Sequence, residues 1–286
     1  MPSRTIESPT VYDKAQDFLK ACSQFMCTRE AENNLILSIG SVLGTPSSPY
    51  SDFYLASVGT PQVEGVFLMT PPHKLLISAP ASERAIASTI AHFQSSGRPL
   101  PGVMGPAEPA VLFSQLWEQR TGERTELALE LFCYKLSQVR PVPRASGNIR
   151  KASVDDLELL AKWSRQFDID AHTHPRDDSL IRQVLESGIA GGAFYVWVDG
   201  EPVSMAKATD ATPSGARIAA VYTPSEHRGH GYASSLVAEI SAIELSQGKT
   251  FCFLFTDAGN ATTNKIYQRI GYEHVGDFHE HVFAKR

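Results

Sequence analysis

The sequence predicts an α/β protein with a mixed central sheet carrying helices on both faces, and it predicts that arrangement twice in one chain. Three observations carry this. Short apolar or alternating runs of strand type are interleaved with segments whose apolar residues recur at helical spacing. An Asp199-Gly200 pair between two such runs marks a tight hairpin. The same order of strands, helices and turn residues occurs in both halves of the 286 residues.

In the first half, Ala15, Phe18, Leu19 and Cys22 give a helix over about Tyr12 to Phe25 one apolar side. Tyr54 to Val58, the turn Gly59-Thr60-Pro61, Val63 to Met69 and His73 to Ser78 read as three successive strands. Ser82 to Phe93 is a helix, and an apolar segment follows around Leu100 to Met104. A helix from Ala110 to Arg120 stops at Gly122 and precedes a strand near Leu127 to Tyr134. The stretch Leu100-Pro101-Gly102-Val103-Met104-Gly105-Pro106 has no chemical role that its residues suggest.

Arg140-Pro141-Val142-Pro143-Arg144-Ala145-Ser146-Gly147 resists both helix and ladder, so it separates a domain of residues 1–140 from one of residues 147–286. Past it, Asn148 to Ala152 is a short strand, and Ser153 with Asp156 resembles a capping box. The helix it opens places Leu157, Leu160, Ala161, Ser164 and Phe167 on one side. A second helix covers about Ser179 to Ser187, with Gly188 as its stop. Ala193 to Val198 and Glu201 to Ala208 form the hairpin, and Arg217 to Thr223 a third strand. Tyr232 to Gln247 is a helix with Ala233, Leu236, Val237, Ile240 and Ile243 inward and Glu244 outside. Phe251 to Phe255 is a buried strand, Thr262 to Arg269 a helix ended by Gly271, and Tyr272 onward a final hairpin.

Composition narrows the functional classes. Hydrophobic residues make up 42%, charged residues 20% and aromatics 9%, a globular profile. A formal charge of −5 gives no surplus of cations for a phosphate backbone, so nucleic acid is not expected as a partner, and cationic acceptors are favoured over anionic ones. Cys22, Cys27, Cys133 and Cys252 are too scattered for a disulfide framework or a paired-cysteine zinc site, and Cys252 in its apolar run reads as a buried thiol. With no apolar leader at the start and no run of apolar residues long enough to span a bilayer, the expectation is a cytoplasmic protein without a membrane partner.

The chemistry concentrates after the third strand of the second half. Pro224-Ser225-Glu226-His227-Arg228-Gly229-His230-Gly231 joins that strand to a helix. Two glycines so close let backbone N–H groups converge, and the following helix adds unpaired donors and its positive end, a site for phosphate or pyrophosphate. Arg228 offers the same anion a permanent charge.

Val221-Tyr222-Thr223-Pro224 followed by Arg228-x-x-Gly231-x-Ala233 resembles the acetyl-CoA signature of the GCN5-related N-acetyltransferases. The second part of that signature also appears, as a strand, Asn260, Tyr267 seven residues later and Gly271-Tyr272. The resemblance covers about half the chain and implies the acyl-CoA N-acyltransferase fold, with acetyl-CoA or a close relative as co-substrate and a small-molecule or peptide amine as acceptor. It implies that backbone groups of Val221, Tyr222 and Thr223 pair with pantetheine and that amides from Gly229 through His230, Gly231 and Tyr232 to Ala233 hold the pyrophosphate. Tyr267 becomes the proton donor to the departing thiolate, and Asn260 a cofactor contact or a helix cap. The first half lacks the loop motif and has Trp117-Glu118 where the second has Ile266-Tyr267, which implies a degenerate copy that binds no acyl-CoA.

No spacing singles out a base among Glu226, His227, Asp168, Asp170, His172 and His174. The pairs His172/His174 and His279/His281 lack a third ligand at a recognised spacing, so no metal is expected. A dinucleotide site is disfavoured by Ser234 and by the few residues left after Asp257. A non-catalytic acyl-CoA sensor or interaction module is the alternative that retention of Tyr267 argues against.

Overall fold

The computed structural model describes residues 8–45, 48–170 and 176–284. The chain forms two compact units, one of Met1–Cys133, Thr256–Gly259 and His274–Arg286, the other of Tyr134–Phe255 and Asn260–Glu273. The chain passes between them more than once, which a single cut at 140–147 does not describe.

The first unit begins β1 (Thr10–Val11), α1 (Ala15–Cys27), α2 (Asn34–Val42), β2 (Tyr54–Val58), β3 (Gly65–Met69), β4 (Leu75–Ile77), α3 (Glu83–Ser96), β5 (Gly102–Pro106), α4 (Ala107–Thr121) and β6 (Arg124–Leu136). The second half of the chain runs β7 (Asn148–Lys151), α5 (Leu157–Asp170), α6 (Asp178–Ala190), β8 (Phe194–Asp199), β9 (Glu201–Asp210), β10 (Gly215–Tyr222), α7 (Tyr232–Ser246), β11 (Phe251–Asp257), α8 (Ala261–Ile270) and β12 (Glu273–Ala284), of which β12 belongs from His274 onward to the first unit. The two orders are the same, strand for strand and helix for helix. Pairing repeats as well: three antiparallel contacts in succession, then a parallel one, β4 with β5 and β10 with β11. This is the predicted mixed sheet, duplicated. The helix α2 was not visible in the sequence pattern.

The last strand departs from the prediction. Tyr272 onward is not a hairpin but one 12-residue strand, β12, which pairs antiparallel with β5 of the first unit from Phe278 opposite Pro106 to Val282 opposite Gly102. The same pairing explains the stretch 100–106. A β-carbon at Gly102 would collide with the His281 carbonyl oxygen, and one at Gly105 would lie 2.5 Å from the Ile77 side chain, so β5 fits between its neighbours only as glycine at those positions.

In the second unit, alternation along β8 and β9 divides the two faces of the sheet. Phe194, Val196, Met205 and Tyr222 join Leu160, Ala161, Trp163, Ile181 and Leu185 in a core beneath α5 and α6. Tyr195 and Trp197 point the other way. Arg144 lies 5.0 Å from the Trp197 ring centre while its guanidinium bonds Glu239 of α7 at 2.8 Å, and the small residues Ser204 and Ala206 share that face. Buried Leu236, Val237 and Ile240 hold α7 there, each contributing about 1.5–3 kcal/mol through burial. Glu244 is buried too, contrary to the outside position the helical spacing gave it, because its flank of α7 is covered as well. Burial, with Asp210 nearby, pushes its carboxyl above the usual range.

Two further differences are local. The helix α6 continues through Gly188 to Ala190 instead of stopping there, because that glycine serves packing: a β-carbon would meet the Phe194 ring at 2.5 Å. The 140–147 segment is held against the second unit and is no free tether. The Ala145 N–H donates to Ser235 Oγ at 2.9 Å, and Trp197 Nε1 donates to the Ser146 carbonyl at 2.7 Å.

Candidate active site

A parallel ladder that stops short defines the site. Gly215, Ala216 and Arg217 of β10 pair with Phe251, Cys252 and Phe253 of β11, and the register ends there although β10 continues to Tyr222 and β11 to Asp257. Beyond Arg217 the strands part. On its other edge β10 carries a bulge: the register with β9 jumps from Ala219 opposite Lys207 to Tyr222 opposite Met205. Ala220 takes φ +50° within it, a left-handed backbone that a non-glycine residue adopts at a cost of about 1–3 kcal/mol. Ala220 and Val221 are thereby in register with neither neighbour.

Over the open end of the gap stands the loop from β10 to α7. A 3₁₀ turn at Ser225–His227 leads into Gly229 and Gly231, both left-handed at φ +83° and +80°, and Gly231 caps α7 without a side-chain hydrogen bond. The first α7 backbone bond is Ser235 N–H to the Gly231 carbonyl. Among the described residues, the amides from Gly229 to Ser234 have no protein acceptor, and a β-carbon at Gly229 would meet nothing within 4 Å. Successive amides with open space before them, at the positive end of a 15-residue helix, suit an anion.

The equivalent turn in the first unit, from β4 to α3, is closed by its own side chains. Asn33 accepts from the Ala79 N–H and donates to the Ala79 carbonyl, Ser82 caps α3 by accepting from Ala85, and the Ser82 N–H bonds the Glu64 carbonyl. No glycine occurs between β4 and α3. The Ala79, Ser82 and Ala85 amides of this turn are thus spent inside the protein, and it lacks the glycine pair of the second unit.

The other sequence-selected residues take definite places. Arg228 does not reach into the gap as a free phosphate partner; its Nε donates to the Thr223 carbonyl at 2.9 Å and its charge meets Asp170, so it ties the loop to β10 and to the end of α5. The Tyr222 carbonyl accepts from Ser204 Oγ at 3.0 Å. The Tyr222 and Thr223 carbonyls are thus engaged inside the protein, and Val221 has no ladder partner on either side. Tyr232 donates to Asp199 at 2.7 Å and stacks on His230, anchoring the first turn of α7 to the β8–β9 hairpin. Ala233 lies half-buried in that turn. Asn260 is the N-cap of α8, accepting from Thr263 N–H at 3.0 Å, the helix-cap reading of that residue. Tyr267 is buried in α8, edge-on to Tyr272 at 5.8 Å, and its hydroxyl has no hydrogen-bond partner among the described residues. Burial pushes its phenol pKa up.

Of the potential bases, Asp168 is buried against Arg176 and Asp170 is paired with Arg228, while Glu226 is exposed. His172 and His174 lie outside the described residues. Cys252 is buried and its thiol is pushed up to about 12 by burial, so it is no nucleophile. His279 and His281 lie on β12 in the first unit, His279 3.2 Å from Glu130, and among the described residues no group of three or more His, Cys, Asp or Glu is placed to hold a metal ion. No helix among them is long and apolar enough to cross a membrane. Sequence reasoning missed the Ala220 bulge and the Ser204 hydroxyl beside it. Neither belongs to a motif; only strand register brings them together.

Residues 197–282 match the family described as FR47-like protein. No curated protein sequence matches the chain. Among solved structures, the fold is similar to an acetyltransferase of the GNAT family from Colwellia psychrerythraea, with a TM-score of 0.61 at 10% identity over 98% of this chain and 100% of that one. It is also similar to a GCN5-related N-acetyltransferase from Sphaerobacter thermophilus, with a TM-score of 0.63 at 13% identity over 97% and 96%. A third, from Kribbella flavida, gives a TM-score of 0.56 at 16% identity over 90% and 95%.

Proposed function

From a chain with the fold of the GCN5-related N-acetyltransferases and an FR47-like segment at residues 197–282, we propose that the second unit transfers an acetyl group from acetyl-CoA to an amine. One observation carries this reading: unpartnered amides at Gly229 to Ser234 head the gap that opens where β10 and β11 part. A pyrophosphate fits the amides and a pantetheine amide fits Val221, as an added strand fits any free sheet edge. The bulge at Ala220 leaves backbone groups outside both ladders, and an N–H among them suits the thioester oxygen, where charge develops during attack.

The transfer itself is a direct displacement. The amine nitrogen forms a bond to the thioester carbon as the carbon–sulfur bond breaks, and the amine gives its proton to solvent water. Tyr267 gives its own proton to the departing sulfur, and its phenolate takes a proton back from solvent once the products leave. An ordinary phenol lies near pKa 10 and a thiol near 8.5, close enough for transfer, and the burial that raises the phenol raises a thiol beside it in the same sense.

Calorimetric titration of acetyl-CoA, followed by thiol release with an amine panel, tests the proposal. Tyr267→Phe is expected to keep acetyl-CoA affinity while kcat falls about 10²-fold or more. An unchanged kcat would remove Tyr267 from the reaction, and affinity without transfer to any amine would mark the unit as a sensor of acyl-CoA.

A further inference from the structure

Resting on the acyltransferase reading, we infer that Ser204 is a positioning residue of the acyl site: its buried hydroxyl holds the bulged end of β10, and with it the backbone groups that meet the thioester. As far as Ala219 opposite Lys207, β10 follows β9 in an unbroken ladder. Ala220 and Val221 then face the single residue Ala206 before Tyr222 meets Met205. On its other edge β10 has already left β11, after Arg217 opposite Phe253. Past the bulge the strand thus has one ladder partner on one side only, and Ala220 carries a left-handed backbone that persists only where its surroundings fix it.

Two sets of contacts fix it. On the α5–α6 face the Tyr222 ring packs against Trp163 and Phe167, at 6.4 and 6.5 Å between ring centres. On the opposite face Ser204 of β9 donates from Oγ to the Tyr222 carbonyl at 3.0 Å and accepts from Thr223 Oγ1 at 2.9 Å. One hydroxyl fastens both residues that end the bulged segment, and Arg228 continues the chain of bonds to the loop by donating to the Thr223 carbonyl at 2.9 Å. Ser204 is fully buried, so bulk water cannot replace its bonds. The first unit has the opposite arrangement. There β4 pairs with β3 at Phe67 opposite Ile77 and Leu68 opposite Leu76 without a shift, and β5 comes so near that a β-carbon at Gly105 would lie 2.6 Å from the Ile77 carbonyl oxygen. The hydroxyl at that strand end, Ser78, accepts from the Val66 N–H at 2.9 Å and donates to the Pro80 carbonyl at 2.8 Å, which closes the turn instead of holding an extension of the strand. Bulge, gap and clamp occur together in the second unit. At a reacting carbonyl a displacement of about 1 Å can cost about 10²-fold in rate, so a side chain one strand removed from the gap can set kcat.

Steady-state kinetics, acetyl-CoA calorimetry and the infrared spectrum of the bound thioester carbonyl test the inference on the full chain. Ser204→Ala is expected to lower kcat about 10- to 100-fold, while acetyl-CoA Kd and acceptor KM move by less than about threefold. Ser204→Thr retains a hydroxyl at the same place and is expected to keep kcat within about threefold of the wild type. A hydrogen bond to the thioester oxygen lowers its carbonyl stretch. That stretch is therefore expected at higher frequency in Ser204→Ala than in the wild type, and at the wild-type position in Ser204→Thr. An unchanged kcat and stretch in Ser204→Ala overturns the inference, and so does an equal fall in both variants, which would trace the effect to side-chain volume. Should Ser204→Ala not fold, Thr223→Val removes only the bond into Ser204, and kcat is expected to fall about three- to tenfold; no fall overturns the inference. The infrared reading needs no turnover. A shifted stretch without transfer to any amine would sink the acyltransferase reading alone, and transfer that ignores these substitutions would sink the clamp alone.

Discussion

Arg228 illustrates how a motif residue can act at one remove. Its Nε bond to the Thr223 carbonyl and its pairing with Asp170 fix where the loop leaves β10, and the amides of Gly229 to Ser234 inherit that position. A lysine at this place keeps the charge but lacks the second nitrogen needed to hold both partners. Arg228→Lys is therefore expected to weaken acetyl-CoA binding about three- to tenfold, measured by calorimetry, with little loss of thermal stability because the pair is largely exposed. The sequence disclosed the residue type and its spacing from Gly231. What it could not disclose was the direction of the side chain, since Asp170 lies 58 positions away. Asn260 was legible as a cap for the opposite reason: it depends on spacing within one short helix. Ser204 was illegible, because a serine on a strand is ordinarily a small filler and only pairing partners reveal what its hydroxyl holds.

Elements were legible where punctuation was local. The Asp199-Gly200 hairpin, the stop of α8 at Gly271 and the Ser153–Asp156 start of α5 rest on neighbouring residues and came out as predicted. Gly188 misled because a glycine near a helix end can serve packing as well as termination. Intrinsic propensity favours alanine over glycine inside a helix by about 1 kcal/mol. The Phe194 ring opposes it, and overpacking costs about 1–3 kcal/mol. Gly188→Ala is thus expected to lower stability in denaturant unfolding, against its helix propensity. At the start of α5, Asp156 accepts from Arg150 at 2.6 and 2.8 Å and from the Ser153 N–H at 2.7 Å. The Arg150 guanidinium and that N–H hold its carboxyl below the ordinary value of about 3.9. A depressed carboxylate contributes stability fully present above its unfolded pKa and lost as pH falls through the folded one. Asp156→Asn should cost about 1–2 kcal/mol at pH 7, and the difference from wild type should shrink below about pH 4, as thermal melts across pH would record.

For the molecule as a whole, the repeat of β-α-α-β-β-β-α-β-α-β gives two copies of one plan. The second copy leaves its loop amides open, and the first spends Asn33 and Ser82 on closing its own. The predicted duplication was readable because turn residues recur in order, whereas the destination of the final strand was not, since its apolar pattern fits any sheet edge. Phe278 is buried in the first unit, and Phe283 stacks on Trp117 at 5.2 Å and on Phe113 at 6.2 Å. A chain ending at Tyr272 should therefore expose the β5 edge and self-associate, visible as high-mass species in light scattering. That dependence also has a temporal side. During synthesis the opening 133 residues emerge from the ribosome long before the strand that completes their sheet, and at about 5–20 residues per second the interval is on the order of ten seconds or more. Through that interval an unfinished edge is open to other nascent chains, so production in the cell should respond to chaperone supply more strongly than equilibrium stability alone would suggest.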